Sequence, residues 1–223
     1  KFEKVKVVGS PRASFTPEEV HLIESEASRK IEDSTLTRSQ RFQACLLYHY
    51  IGILAATGMR PTECLRLKWQ QITKFDPRYE GPDRKSKTVI LIYGKGKHRE
   101  GFGLDSVDIH LKGLWLLYVW FWDREPTKED FLWSTEAGTQ FKRLDILLNR
   151  LLDSLDLKKD FRGKPRDAYS FRHYFVTAQI NNRTPVMAIA RSLGTSVIMI
   201  ERFYAHNTTE SFRDSMQLVG KSI

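Results

Sequence analysis

The sequence is poor in cysteine, with only Cys45 and Cys64 among 223 residues. Two thiols are too few for a disulfide framework or a zinc site. Both lie in apolar stretches with helical spacing, which favours buried free thiols and a reducing compartment, so we expect a cytoplasmic protein. The sequence also lacks clustered Asp, Glu and His residues of the kind that form metal sites, and we expect no metal ion or other cofactor.

Long hydrophobic runs are missing too. A membrane-spanning helix needs about 18 to 20 apolar residues, whereas the most apolar stretch, residues 114–122, is short and typical of a buried helix. We expect no signal peptide, and the given sequence has no internal repeat or low-complexity tract. The chain begins at Lys1 rather than at a methionine. We therefore expect a piece of a longer protein, in which the basic, aperiodic residues 1–14 are a linker from a missing upstream part.

Acidic residues are outnumbered by basic ones. The chain has 36 Lys and Arg against 27 Asp and Glu, which gives a formal net charge of +9 and a pI near 9.5. This balance favours a polyanionic partner such as nucleic acid. Apolar residues make up 41% of the sequence, which at this length is enough for a substantial core.

Helical spacing of apolar residues dominates the chain. Thr16 is the N-cap of the first predicted helix. A second helix over residues 40–56 is opened by Thr37 or Ser39 and should end at Gly58, the residue type that suits a left-handed terminus. Further helices are predicted over residues 62–67, 111–122, 140–155, 169–180 and 208–218, and in the segments that follow Pro185 and Ser196.

Strand-like patterns are confined to one part of the sequence. Residues 69–72, 88–93 and 99–104 are short, and the second stretch is β-branched and bounded by turns. They predict a small antiparallel sheet of about three strands. The expected fold class is therefore mainly α with a small antiparallel β-sheet (α+β), as one domain.

Residues suited to phosphodiester chemistry occur at distinctive spacing. Arg60 precedes Glu63 by three residues, and Tyr204 follows Arg172 by 32 residues. Two guanidinium groups can hold the non-bridging oxygens of a phosphodiester through paired, charge-assisted hydrogen bonds. A phenol is a poor nucleophile at neutral pH and needs such a cradle. The spacing predicts that Tyr204 attacks a phosphodiester held by Arg60 and Arg172.

These segments resemble the catalytic domain of the tyrosine recombinases, the family of the phage integrases and chromosome-dimer resolvases. The family's first box is similar to Ala-Thr-Gly-Met-Arg60-Pro-Thr-Glu63, and its β-turn lysine matches Lys95 in Gly-Lys-Gly. Its second box aligns with residues 169–173, its third with residues 193–195, and its nucleophile with Tyr204. The resemblance runs from Thr16 to the C-terminal helix. It implies the DNA breaking-rejoining fold, with residues 15–223 as the catalytic domain.

The resemblance implies a site-specific DNA recombinase or integrase that needs no metal. Arg60 and Arg172 would bind the scissile phosphate, with Glu63 orienting Arg60. Lys95 would protonate the departing 5′ oxygen as a general acid. Tyr204 would form a 3′-phosphotyrosyl link, which strand exchange and religation then resolve.

Two positions depart from the family pattern and leave the proton-handling group open. The usual second-box histidine is Tyr169, and the usual third-box His or Trp is Thr195. A phenol with a pKa near 10 is a weak base, although both side chains can donate a hydrogen bond to phosphate. His173 is the obvious substitute base, but helix geometry turns it about 100° from its neighbour at 172. We expect His173 and His206 to be supporting residues.

The resemblance implies double-stranded DNA as the partner and a missing N-terminal DNA-binding module. The protein would be a monomer alone and a tetramer on paired DNA sites in the nucleoid. An apolar stripe through Phe212 and Met216 predicts that residues 207–223 form a docking helix. The basic residues predicted to contact the DNA backbone are Lys97, Arg99, Arg143, Arg162, Lys164 and Arg166.

Two alternative functions stay open. A type IB topoisomerase uses a very similar constellation, and a non-catalytic DNA-binding relative would explain Tyr169 and Thr195 as decay. The target sequence, the direction of recombination, cleavage in cis or in trans, and the carrier (phage, plasmid or another mobile element) are open as well.

Overall fold

The computed structural model describes residues 13–78, 88–94 and 97–204, and at residues 94, 97 and 202–204 it describes the backbone alone. The α-helices among these residues are α1 (Pro17–Ile31), α2 (Arg38–Thr57), α3 (Pro61–Cys64), α4 (Ser106–Trp122), α5 (Leu144–Ser154), α6 (Ser170–Asn181), α7 (Val186–Leu193) and α8 (Val197–Tyr204). The strands are β1 (Ile72–Thr73), β2 (Val89–Gly94) and β3 (Lys97–Phe102). The predicted fold class, mainly α with a small antiparallel sheet, is confirmed. The predicted helix over residues 208–218 and the linker residues 1–12 lie outside the described residues.

Helix starts follow the local capping chemistry. The Thr16 hydroxyl accepts from the backbone N–H of Glu19 at 3.2 Å, and the Glu19 carboxylate accepts from the Thr16 N–H at 2.8 Å. Thr37 and Gln40 form the same reciprocal pair at the start of α2, which decides between the two predicted caps. Each pair satisfies N–H groups that a helix start leaves without intrahelical partners.

The sheet is smaller than predicted at its first strand. Its order is β1-β2-β3 and both pairings are antiparallel. Residues 69–71, predicted as strand, form a 3₁₀ turn. The backbone N–H groups of Trp69 and Gln70 donate to the Asp130 and Lys128 carbonyls, each at 3.0 Å, and the Gln71 side chain donates to the Leu91 carbonyl at 2.7 Å. β1 therefore contributes only two residues to the ladder.

Helix α2 is the centre of the main core. It packs against α1, α4, α5 and α6. Tyr50 is fully buried on it, and its hydroxyl donates to Asp145 Oδ1 at 2.9 Å. Both cysteines are free and buried as predicted, and burial raises the pKa of the Cys64 thiol well above its usual value. In the described part of the chain no helix is both long enough and apolar enough to cross a membrane.

A second, smaller apolar cluster joins the last three described helices. It is formed by side chains of α6, α7 and α8, namely Phe175, Val176, Ile189, Ala190, Leu193 and Ile200. The cluster is separate from the main core. The C-terminal part of the described chain therefore depends on few apolar contacts, and polar contacts to the rest of the domain carry more weight there.

Helices α2 and α4 meet through a pair of histidines. His49 Nδ1 and His110 Nδ1 lie 3.3 Å apart. The rings occupy space left by glycines, since a Cβ at Gly52 or Gly113 would come within 2.0 Å of the facing imidazole. Burial, with the neighbouring His110 as a smaller cause, lowers the pKa of His49 to about 3, and burial lowers that of His110 to about 4.

This pair predicts acid-sensitive stability. The folded pKa values lie below the 6.5 of a free imidazole, so the unfolded chain takes up protons that the folded chain excludes. The stabilisation is complete above about pH 6.5 and falls with pH by about 1.4 kcal/mol per unit for each imidazole. Urea unfolding between pH 7 and pH 4.5 should reveal this slope. A His49→Asn, His110→Asn variant should lose it, and an equal slope in that variant would contradict the assignment.

Candidate active site

Arg60 is positioned by the end of α2. Gly58 adopts a left-handed φ of +59°, and a Cβ there would lie 2.5 Å from Cδ1 of Phe175, so the turn suits glycine alone. Two residues later Arg60 is the N-cap residue of α3. Its Nη1 donates to Glu63 Oε1 at 2.8 Å and its backbone N–H donates to Glu63 Oε2 at 3.1 Å. The contact predicted from the three-residue spacing is present.

Glu63 also binds a second arginine, which the sequence did not indicate. Arg99 of β3 donates to both carboxylate oxygens, at 3.1 and 2.6 Å, and its Nε donates to the Ser192 carbonyl at 3.1 Å. The Arg99 and Glu63 side chains are only 15% and 12% exposed. Burial alone would raise the pKa of Glu63, but hydrogen bonds from Arg99 and Arg60 hold it below its ordinary value. Glu63 is therefore a carboxylate anion shared by two guanidinium groups.

Arg172 lies deeper in the same site. It is 6% exposed, and it donates to the Gly58 carbonyl at 3.0 Å and to the Leu193 carbonyl at 3.1 Å. Burial lowers the pKa of this guanidinium, as do the positive charges of Arg60 and Arg99, whereas Glu63 raises it. Arg172 is the third residue of α6, and its head group is held by carbonyls from two turns remote in sequence.

The three guanidinium groups meet at the C-terminal end of α7, which we call the α7 carbonyl turn (Ser192–Gly194). Arg99, Arg172 and Arg60 donate to its three successive carbonyls, the last through a long contact of 3.5 Å to Gly194. A helix C-terminus carries partial negative charge, which suits cations. Among these four charged side chains three cations face one carboxylate, so the site keeps an excess of positive charge suited to a phosphate.

Gly194 is the glycine that allows this approach. Its φ is +60°, and a Cβ would lie 2.8 Å from Cδ of Arg99. The next residue, Thr195, is half-buried and donates its backbone N–H to the Ala190 carbonyl at 3.0 Å. Thr195 therefore lies directly beside the carbonyl that Arg60 contacts. Ser196 then accepts from the Met199 N–H at 3.2 Å and starts α8, as predicted.

Tyr169 and His173 lie together at the start of α6. Tyr169 is the N-cap residue, and its ring centroid is 5.4 Å from that of His173 in an edge-to-face contact. The predicted divergence of His173 from Arg172 agrees with these contacts, because Arg172 reaches Gly58 and Leu193 while His173 packs on Tyr169. The two candidate proton-handling groups are thus neighbours.

The remaining predicted site residues lie at the edge of the described part of the chain or outside it. Tyr204 is the last residue of α8, with its backbone alone described. Lys95 is in the two-residue connection between β2 and β3, and it lies outside the described residues together with His206 and the docking segment 207–223. In the part of the chain that is described, no group of three or more His, Cys, Asp or Glu residues could hold a metal ion.

The predicted DNA-backbone residues divide into exposed and buried groups. Arg143, Arg162 and Lys164 are exposed, whereas only the backbone of Lys97 is described. Arg166 differs from the prediction, because it is 6% exposed and donates to both Glu19 carboxylate oxygens at 2.9 Å. Arg99 differs as well, since its guanidinium is committed to Glu63 and Ser192. Neither head group is available as a simple surface cation, because each is held by hydrogen bonds within the protein.

A family match and two curated relatives agree on the same family of proteins. The Phage integrase family matches residues 16–211. Tyrosine recombinase XerH of Helicobacter pylori (strain ATCC 700392 / 26695) is 28% identical over 160 residues, which are 70% of this chain and 40% of XerH. Tyrosine recombinase XerC of Pediococcus pentosaceus (strain ATCC 25745 / CCUG 21536 / LMG 10740 / 183-1w) is 23% identical over 172 residues, 74% of this chain and 51% of XerC. The chain spans about half the length of these curated relatives or less.

The fold is also found in solved structures. The structure of XerH bound to difH substrate in a pre-cleavage complex has a TM-score of 0.62 and 23% identity, and the match covers 90% of this chain and 52% of that one. At this identity the likeness establishes the fold. Together with the family match, it confirms the resemblance inferred from the sequence motifs.

The shared carboxylate predicts a specific loss of stability. Glu63→Gln should lower the free energy of unfolding by about 1 to 3 kcal/mol at pH 7, because two guanidinium groups lose an anionic acceptor. The folded pKa of Glu63 is depressed, so its contribution is present above the unfolded value of 4.5 and is lost as pH falls below it. The difference between the two proteins should therefore shrink in acid.

The matched control is Glu125→Gln. Glu125 pairs with Arg78 at 2.5 Å, but the two side chains are 55% and 71% exposed. An exposed ion pair contributes about 0 to 1 kcal/mol. Equal effects of the two substitutions in chemical unfolding would contradict the structural role of Glu63.

Proposed function

Since this chain belongs to the phage integrase family, we propose that it is the catalytic part of a site-specific DNA recombinase of the tyrosine type. In this proposal Tyr204 attacks the scissile phosphate and forms a 3′-phosphotyrosyl intermediate, followed by strand exchange and religation. The observation that carries the proposal is the convergence of Arg60 and Arg172, which are remote in sequence, on the α7 carbonyl turn that leads into the helix of Tyr204.

The two arginines have different exposures, which suggests different parts in phosphate binding. The Arg60 side chain is 37% exposed and holds Gly194 only through the long 3.5 Å contact, so it can turn toward an incoming phosphate. Arg172 is nearly buried and fixed by two carbonyls, so it presents a preorganised positive charge. Donors that are already in place stabilise the charge of a transition state without reorganisation.

Lys95 is proposed as the general acid for the departing 5′ oxygen. The support is its place in the chain: β3 begins two residues after Lys95, and its Arg99 binds Glu63 and the α7 carbonyl turn. A residue four positions before Arg99 on the same hairpin lies within about 14 Å of it even in a fully extended chain. A lysine near DNA can act as an acid when its pKa suits the operating pH.

Tyr169 is proposed as a hydrogen-bond donor to the phosphate, with Thr195 as a second donor. The support for Tyr169 is its partly exposed position at the start of α6, one turn from Arg172. The edge-to-face contact with His173 places an imidazole beside the phenol.

The proposed partner is double-stranded DNA. The net charge of +9 supports it, as do the solved structures of the similar XerH recombinase, which was bound to its difH substrate. The exposed Arg143, Arg162 and Lys164 are the proposed backbone contacts. We further propose that four copies assemble on paired sites in the cytoplasm, because recombination cuts and rejoins two duplexes.

The decisive test is Tyr204→Phe in the full-length protein. Without the hydroxyl no phosphotyrosyl bond can form, so the covalent adduct with a nicked suicide substrate should disappear from denaturing gels. DNA affinity should stay nearly unchanged, because one neutral oxygen is removed. The control is Tyr174→Phe, which alters a tyrosine packed on the main core and should keep the adduct. An adduct that persists in the Tyr204 variant would refute the assignment.

A second test concerns Tyr169. If its hydroxyl donates to the phosphate, Tyr169→Phe should slow cleavage by about 10²-fold to 10³-fold, as for one lost oxyanion donor, without moving the pH–rate profile. Tyr169→His should be tolerated, since imidazole can donate the same bond. Single-turnover cleavage from pH 5.5 to pH 9 measures both. A shifted profile in the Phe variant would make Tyr169 the base, and a folded His variant that binds DNA without cleaving would show that residue 169 is misaligned.

A further inference from the structure

The segment before α6 is a structured loop, which we call the 158–166 hairpin. Its tip, residues 160–164, carries basic and aromatic side chains. Its two ends are joined by the Arg166 N–H, which donates to the Lys158 carbonyl at 2.8 Å. Inside it, Asp160 Oδ1 accepts from the backbone N–H groups of Arg162 and Lys164 at 2.9 and 2.7 Å. These bonds define the conformation of the tip.

Arg166, the last residue of the hairpin, anchors it to the rest of the domain. The buried guanidinium binds Glu19 of α1 at 2.9 Å through two of its nitrogens and the Ser14 carbonyl at 3.2 Å. It also lies 5.2 Å from the centroid of the Phe15 ring, which contacts Phe171 of α6. The base of the hairpin is therefore bound directly to α1, and through Phe15 it lies against α6.

An aromatic ring stands at this tip. Phe161 is 88% exposed, more than any other large apolar side chain in the described residues. The Arg162 guanidinium lies 4.9 Å from its ring centroid, and Lys159 and Lys164 are exposed beside it. A ring that is 88% exposed contributes little to folding, because it buries little apolar surface. The combination of ring and cations suits a ligand that has both phosphates and flat apolar surfaces.

We propose that the 158–166 hairpin is a DNA-contacting surface in which Phe161 packs on bases or sugars in a groove while Arg162 and Lys164 contact the flanking phosphates. This inference rests on the proposed function for the identity of the nucleic acid. Asp160, the one acid of the tip, is occupied by two backbone N–H groups. A second copy of this chain, with its net charge of +9, would repel the tip, whereas a polyanion attracts it.

The hairpin is within reach of a duplex bound at the active site. It leads through residues 167–169 into the first turn of α6, which carries Arg172. Phe161 and Arg172 are eleven positions apart in the sequence, so the two are at most about 38 Å apart. That span corresponds to about 11 nucleotides of one strand. A duplex that has its scissile phosphate at Arg172 and runs toward the hairpin therefore needs only about one helical turn to reach it.

The test compares DNA binding by Phe161→Ala, Phe161→Trp and Arg162→Ala in the full-length protein, on a random-sequence duplex about 40 base pairs long, longer than this reach. Phe161→Ala should weaken binding at least about 5-fold without changing the salt dependence, because a base–aromatic contact is uncharged. Phe161→Trp should keep the wild-type affinity for DNA, because it retains an aromatic ring. Arg162→Ala should weaken binding and reduce the slope of log affinity against log salt by about 1.

Trp120→Ala is the matched control, since Trp120 is a 70% exposed aromatic residue on α4 and should leave binding unchanged. Wild-type affinity in Phe161→Ala, or an equal loss in Trp120→Ala, would overturn the proposal. A change in self-association without a change in DNA affinity would overturn it too and would assign the tip to a second copy. Failure of the proposed function appears separately, as absence of the Tyr204 adduct while the Phe161 variant still binds DNA more weakly.

Discussion

The ion pair between Glu63 and two arginines is the contact on which the rest of the site depends. Arg60 lies at the start of α3 and Arg99 lies in β3. Because both guanidinium groups contact the same carboxylate, their positive charges are close together and repel each other. Glu63, only 12% exposed, accepts from both at 2.8 and 2.6 Å and so offsets that repulsion. Its own charge is retained because the two guanidinium groups outweigh the effect of burial. The carboxylate is what allows a third cation, Arg172, to lie nearby.

The same cations hold the segment that carries Tyr204. Helices α7 and α8 are joined to α6 by a small apolar cluster that is separate from the main core. The α7 carbonyl turn receives a hydrogen bond from each of the three guanidinium groups. Under the proposed function, phosphate binding and the position of α8 would be linked, since a phosphate bound by Arg60 would compete with the Gly194 carbonyl for the same N–H group. The contact between Arg60 and the Gly194 carbonyl is the longest of the three, at 3.5 Å, so it is the weakest and the most easily replaced by another acceptor.

Local features were predictable and remote ones were not. The caps at Thr16 and Thr37, the left-handed Gly58 and the contact from Glu63 to Arg60 all involve partners within about one helical turn, where spacing alone brings groups together. Arg99 and Arg166 were both predicted as DNA contacts from their charge. Their carboxylate partners are 36 and 147 residues away in the sequence, and no periodicity could reveal these pairs.

The sequence by itself determined the helical class, the small sheet and the family, because these follow from periodicity, capping residues and motifs that can be read along the chain. Only the tertiary structure decided which arginines meet at the α7 carbonyl turn and which, like Arg166, are buried in an ion pair elsewhere. Tertiary structure also decided that Phe161 stands exposed on an anchored turn while Arg166, five residues later, is buried. The physical reason is that burial and ion pairing depend on distances between segments remote in sequence, and folding alone sets those distances.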